Sequence, residues 1–312
     1  MLKGIYKTNK DKLKLLKDSQ VIVRKELKED KVALISGGGS GHEPAHAGYV
    51  GYGMLDAAVA GPVFTSPNPK NIFNAINEVK TDKGVLLIVK NYSGDVMNFK
   101  MAAKIARNND IDVEIVIVND DIAIEDPDNR RGIAGTIFVH KIAGAAAEKG
   151  MSLKEVKNVA EKVIDNVKTK GIALAPCYSP TSGKPSFELG EDEIEIGLGI
   201  HGEPGIEITK MMSSKKIADN LFNDLISYFN IDDKEYSIMI NSLGATPLME
   251  LNILANDIDK LVTKNNLTVY KYYLDSYMTS MEMKGVSLSL LELNKEFKEL
   301  LEFESKTPFL FN

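Results

Sequence analysis

The sequence predicts an α/β fold of two domains, with mixed or parallel sheets flanked by helices. Three observations point there. Short runs rich in Val, Ile and Leu alternate with helix-like stretches. Three of these runs end in glycine-rich turns. The chain has 312 residues, about twice a common domain length.

Taken in order, residues 31–35 (KVALI) read as a strand running into SGGGSGHEP. Residues 84–90 (GVLLIVK) form a second strand, ending at NYSGD, and residues 113–118 (VEIVIV) a third, ending at NDD. Such continuous apolar runs suit strands buried on both faces. Helical stretches at 69–79 and 97–108 supply the crossovers between them. Residues 133–170 read as two helices, the second opened by a capping box in which Ser152 precedes Glu155 by three residues. Further strands are expected at 171–175, 193–198, 237–241, 268–273 and 287–292. A domain boundary is placed near residue 170, giving 1–170 and 171–312. No fixed-period repeat and no low-complexity linker interrupts the chain.

Composition narrows the function classes. Hydrophobic residues make up 44% and charged residues 26%, as in ordinary globular proteins. Lys and Arg number 38 against 44 Asp and Glu, a net charge of -6, which argues against direct nucleic-acid binding. The single cysteine, Cys177, rules out an internal disulfide and fits a reducing compartment. No apolar run reaches the ~18 residues of a membrane span, and the basic start lacks a signal-peptide core. A cytoplasmic protein is expected. His and Cys do not cluster at zinc-ligand spacing, so no metal site is expected.

Chemistry concentrates in the glycine-rich turns, because ligands of open α/β sheets bind at the carboxyl ends of strands. Residues 36–53 hold seven glycines together with His42 and His46. A P-loop is excluded, since no Gly-Lys-Ser/Thr follows, and the loose match to GxGxxG is broken by His42 and Glu43. His46 reads as a packing residue, and His140, in an apolar helical pattern, as structural. Asp95 in KNYSGD reads either as a helix N-cap or as a general base. His201 in GLGIHGEPGIE is surrounded by glycines that leave room for a ligand. An imidazole neutral near pH 7 can attack a carbonyl carbon.

Six blocks, GGGSGHEPAHAGYVGYGML, GPVFTSP, KNYSGDVMNF, GKPSFEL, GIHGEPG and NSLGATPLMEL, follow one another at matching spacing. Together they resemble the substrate-binding subunit of dihydroxyacetone kinase, the DhaK family, from about residue 20 to residue 292. The resemblance implies that His201 binds dihydroxyacetone covalently, as a hemiaminal through Nε2. It implies that Asp95 is the base for the substrate hydroxyl and that His42 hydrogen-bonds the substrate. Gly39, Ser40 and Lys90 are implied to line the same pocket. A small ketone offers little surface for ordinary contacts, so a reversible covalent bond supplies both affinity and selection against glycerol.

The resemblance also implies partners. No cofactor is expected on this chain; ADP and magnesium belong to a separate nucleotide-carrying subunit, recharged by a phosphocarrier of the sugar phosphotransferase system. A homodimer is expected. Some members instead bind dihydroxyacetone as coactivators of a TetR-type transcription regulator, and an intact pocket serves either role. A stand-alone ATP-dependent kinase is disfavoured, because the fused nucleotide domain of that form is not in the sequence. Departures from the family pattern lie in the short start, in PDNRRG following Asp126 directly, in CYSPTSG, and in MEMKGVS with its Lys284.

Overall fold

The computed structural model describes residues 1–180, 182–309 and 311; Thr181 of the CYSPTSG segment lies outside the described residues. The chain divides into two compact units. Unit one comprises Met1–Val118, Thr136–Asp165 and Lys295–Asn312, and unit two comprises Asn119–Gly135 and Asn166–Asn294. The boundary expected near residue 170 lies close to the crossing at 165/166. The chain also crosses after Val118, Gly135 and Asn294. No change of composition marks these other crossings, so sequence patterning does not reveal them.

Unit one is built on a sheet of β1 (Leu13–Leu15), β2 (Val21–Arg24), β3 (Ala33–Ser40), β4 (Ala57–Val63), β5 (Val85–Lys90) and β6 (Val113–Val118). Their order is β1-β2-β4-β3-β5-β6. Strands β4, β3, β5 and β6 run parallel, and β1 and β2 are antiparallel additions at one edge. Helix α1 (Leu2–Thr8) precedes the sheet, and α2 (Pro69–Val79) and α3 (Ser93–Arg107) are crossovers. The start of α2 follows from local chemistry: Asn68 caps the Asn71 amide and Pro69 occupies the first turn. Ile72, Ala75, Ile76 and Val79 then fall on one buried face, at helical spacing. They join Val23, Ile35, Val59, Leu87 and Phe99 in one core. Helix α4 (Thr136–Glu148) is buried along its whole length, as an apolar helix without a polar face must be.

The connection leaving β3 leads to β4 on one side, whereas that leaving β5 leads to β6 on the other. The carboxyl ends of β3 and β5 therefore flank a topological switch point, where ligands of such sheets bind. SGHEP and NYSGD follow those two ends.

Unit two has a sheet ordered β11-β10-β12-β7-β8-β9. Its strands are β7 (Val167–Ala175), β8 (Glu193–Ile196), β9 (Glu207–Lys210), β10 (Glu235–Ser242), β11 (Thr268–Asp275) and β12 (Lys284–Leu293). Among the described residues of this sheet, β10 and β11 pair in parallel and the other neighbouring strands antiparallel. Helices α6 (Ser214–Ile226) and α7 (Leu248–Lys264) pack Leu221, Phe222, Leu254 and Ile258 against Ile238, Ile240 and Leu288. Helix α5 (Leu153–Asn166), up to Asp165, and helix α8 (Lys295–Leu301) belong to unit one.

Three local expectations are revised. The helix expected to continue to Lys170 stops at Asn166, and β7 begins at Val167. Val167 and Thr169 are β-branched and pair with Leu291 and Ser289 of β12, so strand pairing overrides the helical pattern. The first glycine run is strand, not turn, as far as Ser40, and Gly37 is required because a Cβ there would collide with the Val59 carbonyl. The helix after NYSGD begins at Ser93 rather than Met97.

Candidate functional site

In unit one, the segment after β3 is shaped by close approaches. A Cβ on Gly39 would stand 2.6 Å from the Thr65 nitrogen and 2.7 Å from Phe64 Cα, so only glycine fits. Ser40 Oγ donates to the Gly61 carbonyl at 2.7 Å, tying β3 to β4. Gly41 has φ +112, and its amide donates to the Glu43 carboxylate at 3.0 Å. His42 is fully buried, with its ring stacked on Phe64 at 5.2 Å between centroids. His46 is also buried, and its ring lies 5.2 Å from that of His140. Burial, and then the charge of Lys90, hold both histidines neutral: His46 is pushed well below the usual imidazole range and His140 to about 3.

Lys90 ends β5, buried, with Nζ 5.7 Å from the centre of the Tyr92 ring. Asp95 is the third residue of α3. The N-cap position belongs to Tyr92, so the capping role open to Asp95 in the sequence is not the one it takes. Its side chain is 2% exposed, and Oδ1 is buried with no hydrogen-bond partner among the described residues. A carboxylate in the first helical turn is favoured by the helix dipole, which leaves Oδ1 available as an acceptor for a ligand. Ser66 Oγ reaches the same turn, 2.7 Å from where a Cβ on Gly94 would lie. A lone serine in GPVFTSP carries no sequence signal of this placement.

In unit two, His201 sits in the loop joining β8 to β9, and its side chain is 16% exposed. Glycines with positive φ at 197 and 202 turn the loop sharply. Arg131 anchors its start, donating to the Gly197 carbonyl at 2.7 Å while paired with Asp121 at 2.7 Å. Glu203 orients the histidine. Its Oε2 accepts the His201 backbone N–H at 3.0 Å, and Oε1 lies 2.7 Å from Nδ1. An ionised carboxylate can only accept, so Nδ1 carries a proton, and in the neutral form of the ring the lone pair is on Nε2. Burial alone would raise the Glu203 carboxyl, but the hydrogen bond and charge of His201 outweigh it and hold it at about 2. Sequence patterning singles out His201 but not Glu203; the signal was a carboxylate two residues on, in the same glycine-rich loop.

Of the six candidate residues, Gly39, Ser40, His42, Lys90 and Asp95 lie at or just beyond strand or helix ends in unit one, and His201 lies within the β8–β9 loop in unit two. Among the described residues, no group of three or more His, Cys, Asp or Glu is arranged to hold a metal ion. Nor, among the described residues, is any helix long and apolar enough to cross a membrane.

The chain matches the Dak1 domain model over residues 3–309. It is 52% identical over 301 residues to the PTS-dependent dihydroxyacetone kinase 1, dihydroxyacetone-binding subunit DhaK, of Listeria innocua, covering 95% of this chain and 91% of that one. It is 43% identical over 296 residues to the DhaKLM operon coactivator DhaQ of Lactococcus lactis, covering 93% and 90%. A solved structure of the dihydroxyacetone kinase operon co-activator Dha-DhaQ superimposes with a TM-score of 0.94 at 41% identity, covering 98% of this chain and 95% of that one.

Proposed function

Because the chain belongs to the Dak1 domain family, we propose that it binds dihydroxyacetone covalently as the substrate-binding subunit of a phosphotransferase-dependent dihydroxyacetone kinase. The pairing of His201 with Glu203 carries this reading. With Nδ1 protonated, the Nε2 lone pair attacks the ketone carbon. As the N–C bond forms, positive charge develops on the ring, and the Glu203 carboxylate stabilises it; the ketone oxygen takes up a proton from water, and Nδ1 gives up its proton to solvent by way of Glu203, which leaves a neutral hemiaminal. The resulting hemiaminal requires a carbonyl, so glycerol is rejected.

In this reading Asp95 takes the proton of the terminal hydroxyl and His42 orients that hydroxyl, while Gly39 and Lys90 line the substrate. Ser40 donates its own proton to Gly61, so toward substrate it acts as an acceptor. The phosphoryl group comes from a separate nucleotide-carrying subunit holding ADP and magnesium. The protein works as a cytoplasmic homodimer. Support for the kinase role comes from the higher identity to DhaK of L. innocua, 52% against 43% for DhaQ.

A second reading, a dihydroxyacetone sensor that activates a TetR-type regulator, is supported by the DhaQ superposition at a TM-score of 0.94. One experiment separates the two. The chain is mixed with an ADP-carrying kinase subunit and its phosphocarrier, and dihydroxyacetone phosphate is followed. In parallel, complex formation with the regulator is followed with and without dihydroxyacetone. Product supports the subunit; a ligand-dependent regulator complex without product supports the sensor. In either case an intact-mass adduct with dihydroxyacetone is expected for the wild type and not for His201→Ala.

A further inference from the structure

His46 is a buried base without a task in the chemistry above. Ser36 Oγ donates its single proton to the Ile88 carbonyl at 2.7 Å. The same oxygen lies 3.2 Å from His46 Nδ1, so it accepts there and Nδ1 is the protonated nitrogen. The lone pair is therefore on Nε2, which is buried with no hydrogen-bond partner among the described residues. A buried acceptor left in this state is costly until a donor reaches it.

The surroundings say which donor fits. A Cβ on Gly38 would stand 2.9 Å from Lys90 Nζ and 3.6 Å from His46 Nε2, so both nitrogens border the space above this glycine. His46, Gly38, Gly39 and Ser40 also line one cavity of about 10 Å³, room for a single oxygen atom. An oxygen placed between the two nitrogens at Gly38 receives a proton from the Lys90 ammonium and must offer one to the His46 lone pair. A carbonyl, ether or carboxylate oxygen cannot do the second, and a ligand amine would meet the Lys90 charge. A hydroxyl does both.

Resting on the dihydroxyacetone reading, we propose that His46 is a specificity residue: its Nε2 accepts a hydrogen bond from one hydroxyl of the hydroxyketone, whose oxygen accepts from Lys90. The ring enters this role neutral, kept so by burial and by Lys90. The packing role expected from the sequence remains, since the ring also rests against His140. The added function is selection of ketones that carry a second hydroxyl.

The test is isothermal titration of the full chain with dihydroxyacetone and with hydroxyacetone, which lacks one hydroxyl. The wild type is expected to prefer dihydroxyacetone by about tenfold or more, as sites built to bond a hydroxyl do. His46→Leu should reduce that preference to about twofold through weaker dihydroxyacetone binding alone. His46→Gln, whose amide oxygen still accepts, should keep part of it and also covers the case that the leucine variant does not fold. Equal weakening of both ketones would reduce His46 to packing and overturn the proposal. An unchanged preference in both variants would leave only a buried water in the cavity and overturn it too. Failure of the wild type to bind either ketone is a separate result, which removes the dihydroxyacetone reading itself.

Discussion

Glu203 grips His201 twice, accepting its backbone N–H at 3.0 Å and lying 2.7 Å from its Nδ1. The two contacts fix ring direction and tautomer together. A histidine held by its backbone and one nitrogen presents the other nitrogen in a single orientation. Near-attack geometry needs that constraint.

Glu203→Ala is expected to weaken dihydroxyacetone adduct formation about 10- to 100-fold, the usual scale for loss of a group that orients a histidine. Glu203→Gln should lose less, because its amide oxygen still accepts from Nδ1 but brings no charge to stabilise the ring. Intact-mass titration against ketone concentration measures both. Equal adduct formation by wild type and Glu203→Ala would show that the carboxylate plays no part.

The same carboxylate makes a prediction about acid stability. Its folded pKa of about 2 lies below the ordinary value of 4.5. Its contribution is therefore complete above about pH 4.5 and is lost as pH falls toward 2. Between these limits wild-type stability should decline more steeply than that of Glu203→Gln. Urea unfolding at a series of acidic pH values gives the two slopes, and parallel curves would contradict the assignment.

Asp95→Asn keeps the size of a side chain that is 2% exposed but removes its basicity. If the protein is a kinase subunit, phosphoryl transfer should fall about 10²- to 10⁴-fold, with dihydroxyacetone affinity nearly unchanged. The reconstituted assay reads the rate and titration reads the affinity. Parallel loss of both would make Asp95 a binding group and not a base.

A prediction about stability concerns unit one. Lys31 pairs with Asp56 at 2.5 Å and approaches Glu148 at 3.7 Å, and Arg24 pairs with Glu148 and lies 3.5 Å from Asp56. Asp56 also accepts the Leu34 amide at 2.9 Å. Lys31 and Asp56 are almost wholly buried, so Asp56→Ala leaves cations with too little compensation. A loss of about 3–5 kcal/mol is expected in urea unfolding. A loss under about 1 kcal/mol, the scale of exposed pairs, would mean that the network is solvated in practice.

How far the sequence reaches can be judged from particular residues. The run at 84–90 becomes β5 because a strand buried at every position has to be mainly apolar, whereas the run at 113–118 becomes β6 at the sheet edge, where Val113, Val116 and Val118 are the buried positions. The helix at 69–79 was legible from its cap, its proline and its single apolar face, all of which are local. Membership of the family was legible from six ordered blocks, because backbone approaches such as those at Gly37 and Gly39 admit only glycine. The candidate histidines and Asp95 were legible as residue types in glycine-rich segments.

What only the tertiary structure decided are matters of pairing and burial between residues distant in the chain. Val167 and Thr169 joined a strand because β12 offers them partners more than 100 residues away. Asp95 proved to be a buried acceptor inside the first turn of α3, since Tyr92 took the cap. The lone pair of His46 was assigned by Ser36 and Ile88, which come from two different strands. The discontinuous units arose because contacts, not composition, group the chain's segments. Local patterning reports what each segment can form. Which hydrogen-bond partner a buried atom meets depends on the packing of the whole unit.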